Sequence, residues 1–395
     1  MIFTVNLLYY ILVAKLDPLQ LVLVGTAVEV SIFAFEFPTG VVADSFSRRL
    51  SVIIGIFLVG VAFIINGLFP IFWIIALAQV IWGLGYTFTS GEQQAWISDE
   101  LGEEEASLAF VRGSKMDQLG GIAGIVLSIG FALISLRAPI LIGGGLFLLL
   151  GLYPCLRMPE KGFSPLKPSE RDSWKNLFTT FKRGLAMLRI RPALIGVLGV
   201  GFLFGLYSEG YDRLWQAHLL EQFSLPLFPG LASNVNAANF NLVIWMGALK
   251  GSIMSLSAMA LARIDKQMNR PRMKSLINGL TLCSGVLGAC LIGFALAGNL
   301  WVMLILIVSI GVLRAIIDPI YTTWANHKLD SSVRATVISL SSQMDAISQI
   351  AGGPVVGGIA KSISMTAGLV TSGMMLAPVL IMLVLKRNKE NKITE

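Results

Sequence analysis

The chain has 395 residues, 55% of them hydrophobic and 13% charged, with a mean hydropathy of +0.76. A soluble domain carries about 25% charged residues, so this composition excludes an ordinary cytosolic protein, and three cysteines with two histidines exclude a disulfide framework and a zinc site. The net charge of +7 is a membrane-orientation signal rather than a nucleic-acid patch, and nothing in the sequence asks for a cofactor or metal.

Apolar runs bounded by charge or turn residues predict twelve spans, at roughly 1–16, 19–43, 50–69, 71–95, 107–134, 138–157, 193–219, 240–262, 273–296, 299–323, 334–360 and 365–385. The run lengths indicate helices, because barrel strands would be about ten residues of alternating polarity. Met1–Val13 lacks the basic leader and small-residue site of a cleavable signal. The first run, at 1.5 Å per residue, reaches about 24 Å of a roughly 30 Å core, so about ten further residues are expected upstream of Met1.

Of the 30 Lys and Arg, 24 fall in the even-numbered loops and the C-terminal tail, three on the opposite side (Lys15, Arg137, Lys361) and three inside spans (Arg213, Lys250, Arg314). The positive-inside rule then puts both termini and the 159–192 loop in the cytoplasm, with the chain threaded many times through the cell membrane. The expected organisation is an N-terminal six-helix bundle over 1–158, a cytoplasmic linker over 159–192, and a C-terminal six-helix bundle with a short basic tail over 193–395. Within the linker, Trp174, Leu177, Phe178, Phe181, Leu185 and Leu188 recur at helical spacing opposite Lys175, Lys182 and Arg183. That pattern is a basic amphipathic helix, lying on the inner leaflet or covering the cytoplasmic mouth.

The two halves are related. A gapless shift of 228 residues pairs Val80 with Val308, Gly83 with Gly311, Trp96 with Trp324, Leu101 with Leu329, Ser114 with Ser342, Met116 with Met344 and Asp117 with Asp345. Two repeated six-helix halves around a midplane cavity are a common transporter architecture.

The turn after span 2 reads Gly40-Val-Val-Ala-Asp44-Ser-Phe-Ser-Arg48-Arg49. In it the chain resembles the major facilitator superfamily, whose signature there is G-x-x-x-D-basic-x-G-basic-basic. Gly40, Asp44, Arg48 and Arg49 match, while Ser45 and Ser47 depart from it. The resemblance implies a cytoplasmic latch between the halves, its basic residues pairing with an acid near the end of span 4, a role open to Glu92 or Asp99. The bacterial drug-efflux-like members are suggested, although Gln79 stands where an Arg linked to proton coupling is usual. The span 5 antiporter signature is also incomplete, and Gly352-Gly353-Pro354-Val-Val-Gly357-Gly358 in span 11 looks more like it.

Eight acids fall within predicted spans: Glu29, Glu36, Glu92, Asp117, Glu209, Asp212, Asp318 and Asp345. Each central charge costs on the order of 3 kcal/mol, so these positions call for a reason. Glu209 with Arg213, and Arg314 with Asp318, are four apart and share a helix face, the spacing of an ion pair. Three bases cannot neutralise eight acids, so the surplus carboxyls carry protons or face water. Glu29, Asp117 and Asp345 are the proton-coupling candidates, with Lys250 as a partner.

The family's arrangement implies that spans 1, 4, 7 and 10 line the cavity. The candidate lining residues are then Asn6, Tyr10, Gln79, Tyr86, Ser90, Glu209, Asp212, Gln216, Arg314 and Asp318. Trp96, Trp301 and Trp324 near span ends read as interface anchors.

The expected function is secondary transport by alternating access: proton-coupled export of a small amphipathic or cationic compound by a monomer in the lipid bilayer. A lipid-translocating or sensor member of the same superfamily is the alternative. A polytopic membrane enzyme lacks its H-x-x-x-x-D or H-E-x-x-H motif, and no nucleotide-binding loop is present.

Overall fold

In the computed structural model, residues 1–165, 192–228, 235–265, 273–326 and 331–394 are described. The predicted linker helix and His327 lie outside them. Among the described residues there is no strand, and the helices are α1 (Ile2–Leu12), α2 (Pro18–Ser45), α3 (Arg48–Leu68), α4 (Phe72–Thr89), α5 (Glu92–Leu101), α6 (Glu103–Ala132), α7 (Ala138–Arg157), α8 (Pro192–Gln222), α9 (Val235–Asp265), α10 (Met273–Ala295), α11 (Leu300–Asn326), α12 (Ser331–Ser362), α13 (Met365–Met374) and α14 (Ala377–Thr394). Each of the twelve predicted spans is recovered as a helical segment. Two of them are broken: span 4 into α4 and α5, and span 12 into α13 and α14. The first break falls at Gly91, whose φ of 80° belongs to the left-handed region that glycine enters without strain.

Eight of the segments described are long and apolar enough to cross a membrane by length and composition alone. The four others are α1, which is short, and α6, α8 and α12, which carry the densest polar side chains. Glu103, Glu104, Glu105, Arg112, Lys115 and Asp117 lie on α6; Glu209, Asp212 and Arg213 lie on α8; Asp345 lies on α12. A spanning helix keeps such groups only where they meet protein or water.

The chain divides into two compact units: Met1–Leu16, Leu23–Thr179 and Pro226–Gly247 in one, Asp17–Val22, Thr180–Leu225 and Ala248–Glu395 in the other. In the first, α3 packs against α4 and α7; in the second, α8 packs against α12 and α13, and α10 against α11 and α14. Asp17 caps α2 reciprocally with Gln20: Gln20 N–H donates to Asp17 Oδ1 at 2.9 Å and Asp17 N–H to Gln20 Oε1 at 3.0 Å. Lys361 Nζ adds a 2.9 Å bond to Asp17 Oδ2. Partial burial works against the Asp17 carboxylate, but these donors outweigh it and hold the carboxyl below its ordinary range.

The α8–α12 pair decides where the charged side chains of the second unit go. A Cβ on Gly352 would collide with the Leu206 carbonyl oxygen, and one on Gly205 would collide with Ser348 Oγ and lie 2.5 Å from Asp345 Oδ1. Two helices approach this closely only where backbone meets backbone through small residues. Gly352→Leu should therefore push α12 off α8 and destabilise the protein by about 2 kcal/mol, the scale of overpacking a tight core. A lowered midpoint in thermal unfolding of the detergent-solubilised protein is the expected result; an unchanged midpoint would show that the contact is slack.

Candidate functional site

Three helices of the second unit, α8, α11 and α12, enclose a cavity of about 620 Å³. Its lining follows helical spacing on each: Gly201, Phe204, Ser208 and Asp212 on α8; Arg314, Asp318, Tyr321 and Ala325 on α11; Ser341, Ser342, Asp345 and Gln349 on α12. Apart from the adjacent Ser341 and Ser342, each stripe recurs at three- or four-residue intervals, so one face of each helix looks inward.

At the centre is an ion pair between helices. Arg314 donates through Nη1 to Asp212 Oδ1 at 2.5 Å and through Nη2 to Asp212 Oδ2 at 2.8 Å. This two-pronged geometry matches the planar fork of a guanidinium to a carboxylate. Arg314 also lies over the Tyr207 ring at 5.9 Å, a contact that spreads the cation over an aromatic face. The i,i+4 spacing predicts Arg314 with Asp318, and the structure corrects this: the guanidinium turns across to α8. Asp318 is left exposed to the cavity, with no ion pair or hydrogen bond among the described residues. The other predicted pair is formed, with Arg213 Nε donating to Glu209 Oε1 at 2.8 Å.

Asp345 is half-buried. Its Oδ2 accepts from Gln349 Nε2 at 2.8 Å, and it lies in the fields of both Arg314 and Asp318. Tyr321 Oη donates to the Val197 carbonyl at 3.1 Å and is 3.3 Å from Ser341 Oγ. The Phe204 ring meets Tyr321 edge-on at 5.9 Å. The cavity thus offers one cation, three carboxylates, hydroxyls and aromatic faces.

Of the residues expected in a cavity, Asp212, Arg314 and Asp318 line this one, and Asp345 joins them. Glu209 and Gln216 do not: they are 3% and 2% exposed, packed into the body of the unit. Asn6, Tyr10, Gln79, Tyr86 and Ser90 belong to the first unit and have other duties there. Gln79 Nε2 donates to Tyr10 Oη at 2.8 Å, and Asn66 Nδ2 donates to Asn6 Oδ1 at 3.0 Å. Tyr86 is exposed and stacks on Trp82 at 5.9 Å, and Ser90 ends α4 through its backbone N–H to the Tyr86 carbonyl. Asp117, the repeat partner of Asp345, stands exposed on α6, while Glu29 and Lys250 are half-buried outside this lining. Trp324, read as an interface anchor, is 2% exposed and has the Lys386 ammonium 4.3 Å from its ring centre.

Sequence reasoning did not single out Phe204, Tyr207, Ser208, Tyr321, Ser341 or Gln349. The signal was present as small and polar residues in phase with Asp212, Asp318 and Asp345.

A second charged cluster occupies the α2–α3 turn in the first unit. Arg48 bonds to Asp44 Oδ1 at 3.1 Å, pairs with Asp99 Oδ2 and stands 3.9 Å from Glu92 Oε2. Arg49 Nη2 donates to the Cys155 carbonyl at 2.6 Å, and Gly40 lies against Glu92. Glu160, which the sequence did not flag, accepts from Ser47 Oγ at 2.7 Å and from Arg49 N–H at 2.9 Å. Its carboxylate therefore sits at the N-terminus of α3, where exposed N–H groups and the helix dipole favour an anion.

Removing one partner of a desolvated ion pair leaves a stranded charge, a cost reduced here because the Arg314 and Asp212 side chains are 34% and 40% exposed. Arg314→Gln and Asp212→Asn are each expected to lower stability by about 1–2 kcal/mol, and the double variant by less than the two combined. Thermal unfolding of the four proteins measures this; strict additivity would mean that the pair contributes no coupling.

Comparison with known proteins agrees on one family. The family model described as Major Facilitator Superfamily matches residues 1–353. An uncharacterised MFS-type transporter of Bacillus subtilis (strain 168), YxaM, is 21% identical over 99% of this chain and 93% of its own length. Among solved structures, the nucleoside transporter NupG superposes with a TM-score of 0.68 at 14% identity, covering 97% of this chain and 93% of its own. A POT family transporter in complex with a thioalcohol-conjugated peptide gives 0.70 at 16% identity, covering 99% and 93%. The human organic anion transporter MFSD10 gives 0.57 at 14%, covering 96% and 89%. At these identities the structural matches establish the fold alone.

Proposed function

Since the chain belongs to the major facilitator superfamily, we propose that this multi-pass membrane transporter is a secondary active carrier that exports a small amphipathic or cationic compound in exchange for protons. The protein is a transporter of the MFS type and not an enzyme. The observation that carries the finer reading is the charge of the cavity: Arg314 is committed to Asp212, which leaves Asp318 and Asp345 facing the same space.

Among the described residues these two carboxylates have no matching base, so they attract a cation, and a proton at Asp345 competes with it. Cargo and proton then compete for one acidic pair. Loading an organic cation on one side releases protons there, and reprotonation on the other side releases the cargo. Phe204, Tyr207 and Tyr321 provide flat faces for the organic part, with an aromatic quadrupole that suits positive charge. The structural neighbours named as nucleoside and peptide transporters support a small-molecule cargo.

Export follows the general resemblance to drug-efflux-like members, while the superfamily signature at Gly40, Asp44, Arg48 and Arg49, with the Arg48 cluster reaching Asp99, supports a latch that releases as the halves rock. The basic loops support cytoplasmic termini in the cell membrane, with bundles over 1–158 and 193–395 joined by the 159–192 linker. The alternative, a lipid-translocating or sensor member, is favoured by one feature: Gln79 replaces the usual proton-linked Arg, and its amide is committed to Tyr10.

The test is uptake into proteoliposomes under an imposed pH gradient, across lipophilic cations, neutral drugs and lipids. Gradient-driven accumulation of cations is expected, lost in Asp345→Asn, with apparent affinity weakened about tenfold in Asp318→Asn. Undiminished cation uptake by both variants would remove the acidic pair from the mechanism, and movement of lipids alone would favour the alternative.

A further inference from the structure

Away from the charged cavity, α9, α10 and α11 frame a second concavity of about 550 Å³. α9 and α11 touch where Ile253 packs onto Gly311, its Cγ2 only 2.7 Å from where a Cβ would stand. Towards the C-terminal end of α9 the helices part. The gap is lined by Leu256 and Met259 of α9, Val286 and Cys290 of α10, and Leu313 of α11. Leu256, Met259 and Val286 are 44%, 52% and 43% exposed, so the groove opens onto the flank of the unit. Arg263, in the last turn of α9, is the one charged group of its lining. It is exposed, and its hydrogen bond among the described residues goes to a carbonyl of its own helix, Met259 O, at 3.3 Å.

An apolar groove on the flank of a membrane protein holds no water, because water there would forfeit its hydrogen bonds. Its volume and apolar lining suit the acyl chain of a neighbouring lipid. Charge decides which lipid. Arg263 stands at one end, and in the sequence it is followed by Lys266, Arg270, Arg272 and Lys274, a basic composition of the kind that favours anionic lipid. We propose that this groove is a binding site for an anionic phospholipid, with an acyl chain along Met259, Val286 and Leu313 and the headgroup phosphate at Arg263. The site is independent of the transport reading, since it shares no residue with the charged cavity.

The experiment is native mass spectrometry of the full chain in detergent, with phosphatidylglycerol and phosphatidylcholine added in equal amount. Retention of phosphatidylglycerol over phosphatidylcholine is expected. Arg263→Gln should lower that retention about fivefold, while Arg263→Lys keeps it. Leu313→Trp and Val286→Trp, each filling the groove from a different helix, should displace the lipid; the variant whose unfolding midpoint stays at the wild-type value supplies the reading. Equal retention of the two lipids, or phosphatidylglycerol held undiminished by a folded Trp variant, would overturn the assignment.

Discussion

The second unit is organised around the cost of placing charge within membrane-spanning helices. Arg314 is stable on α11 because Asp212 on α8 meets it with both carboxylate oxygens, 2.5 and 2.8 Å away. Either group alone would be a partly exposed charge without its partner, at a cost of about 1–2 kcal/mol. The pair removes much of that cost, and because it joins two helices it also fixes their register. Once Arg314 is so engaged, Asp318 and Asp345 have no base left to share among the described residues, and the proposed exchange of cation for proton rests on that imbalance.

Close backbone contact makes the arrangement possible. Gly205 and Gly352 bring α8 and α12 together at the depth of Asp345, so its carboxyl is held between Gln349 and the ion pair rather than exposed on a helix flank. Its repeat counterpart, Asp117, lacks such a setting: α6 has no matching glycine–proline run, and its middle turns are exposed. The two aspartates that the 228-residue shift pairs thus have two different physical environments. In the first unit, charge collects instead at the α2–α3 turn, where Arg48 is shared among Asp44, Glu92 and Asp99, and Glu160 ties the segment after α7 to the start of α3.

Much of the fold was legible because a span is a local property: apolar run length and bounding charge give all twelve segments. The Glu209–Arg213 pair was legible for the same reason, both ends lying on one helix face. What escaped was relational. Spacing offers Arg314 a neighbour at Asp318, but it does not encode which face of α11 turns to α8, and the bidentate geometry of Asp212 prevails. Nor does a polar residue in a span reveal whether it faces a cavity or a packed interior, so Tyr10 and Gln79, bonded to each other, read the same as Asp212. Trp324 misleads similarly: a tryptophan at a span end resembles an interface anchor, yet this one is sealed beneath Lys386.

If cargo and proton contend for the same carboxyls, binding alone must displace protons, without any gradient or turnover. Calorimetric binding of a lipophilic cation to the detergent-purified protein, repeated in buffers of different ionisation enthalpy, reads that displacement directly. The account predicts that protons leave as the cation binds, and that this release disappears in Asp345→Asn. Cation binding to the wild-type protein with the same heat in every buffer would contradict it.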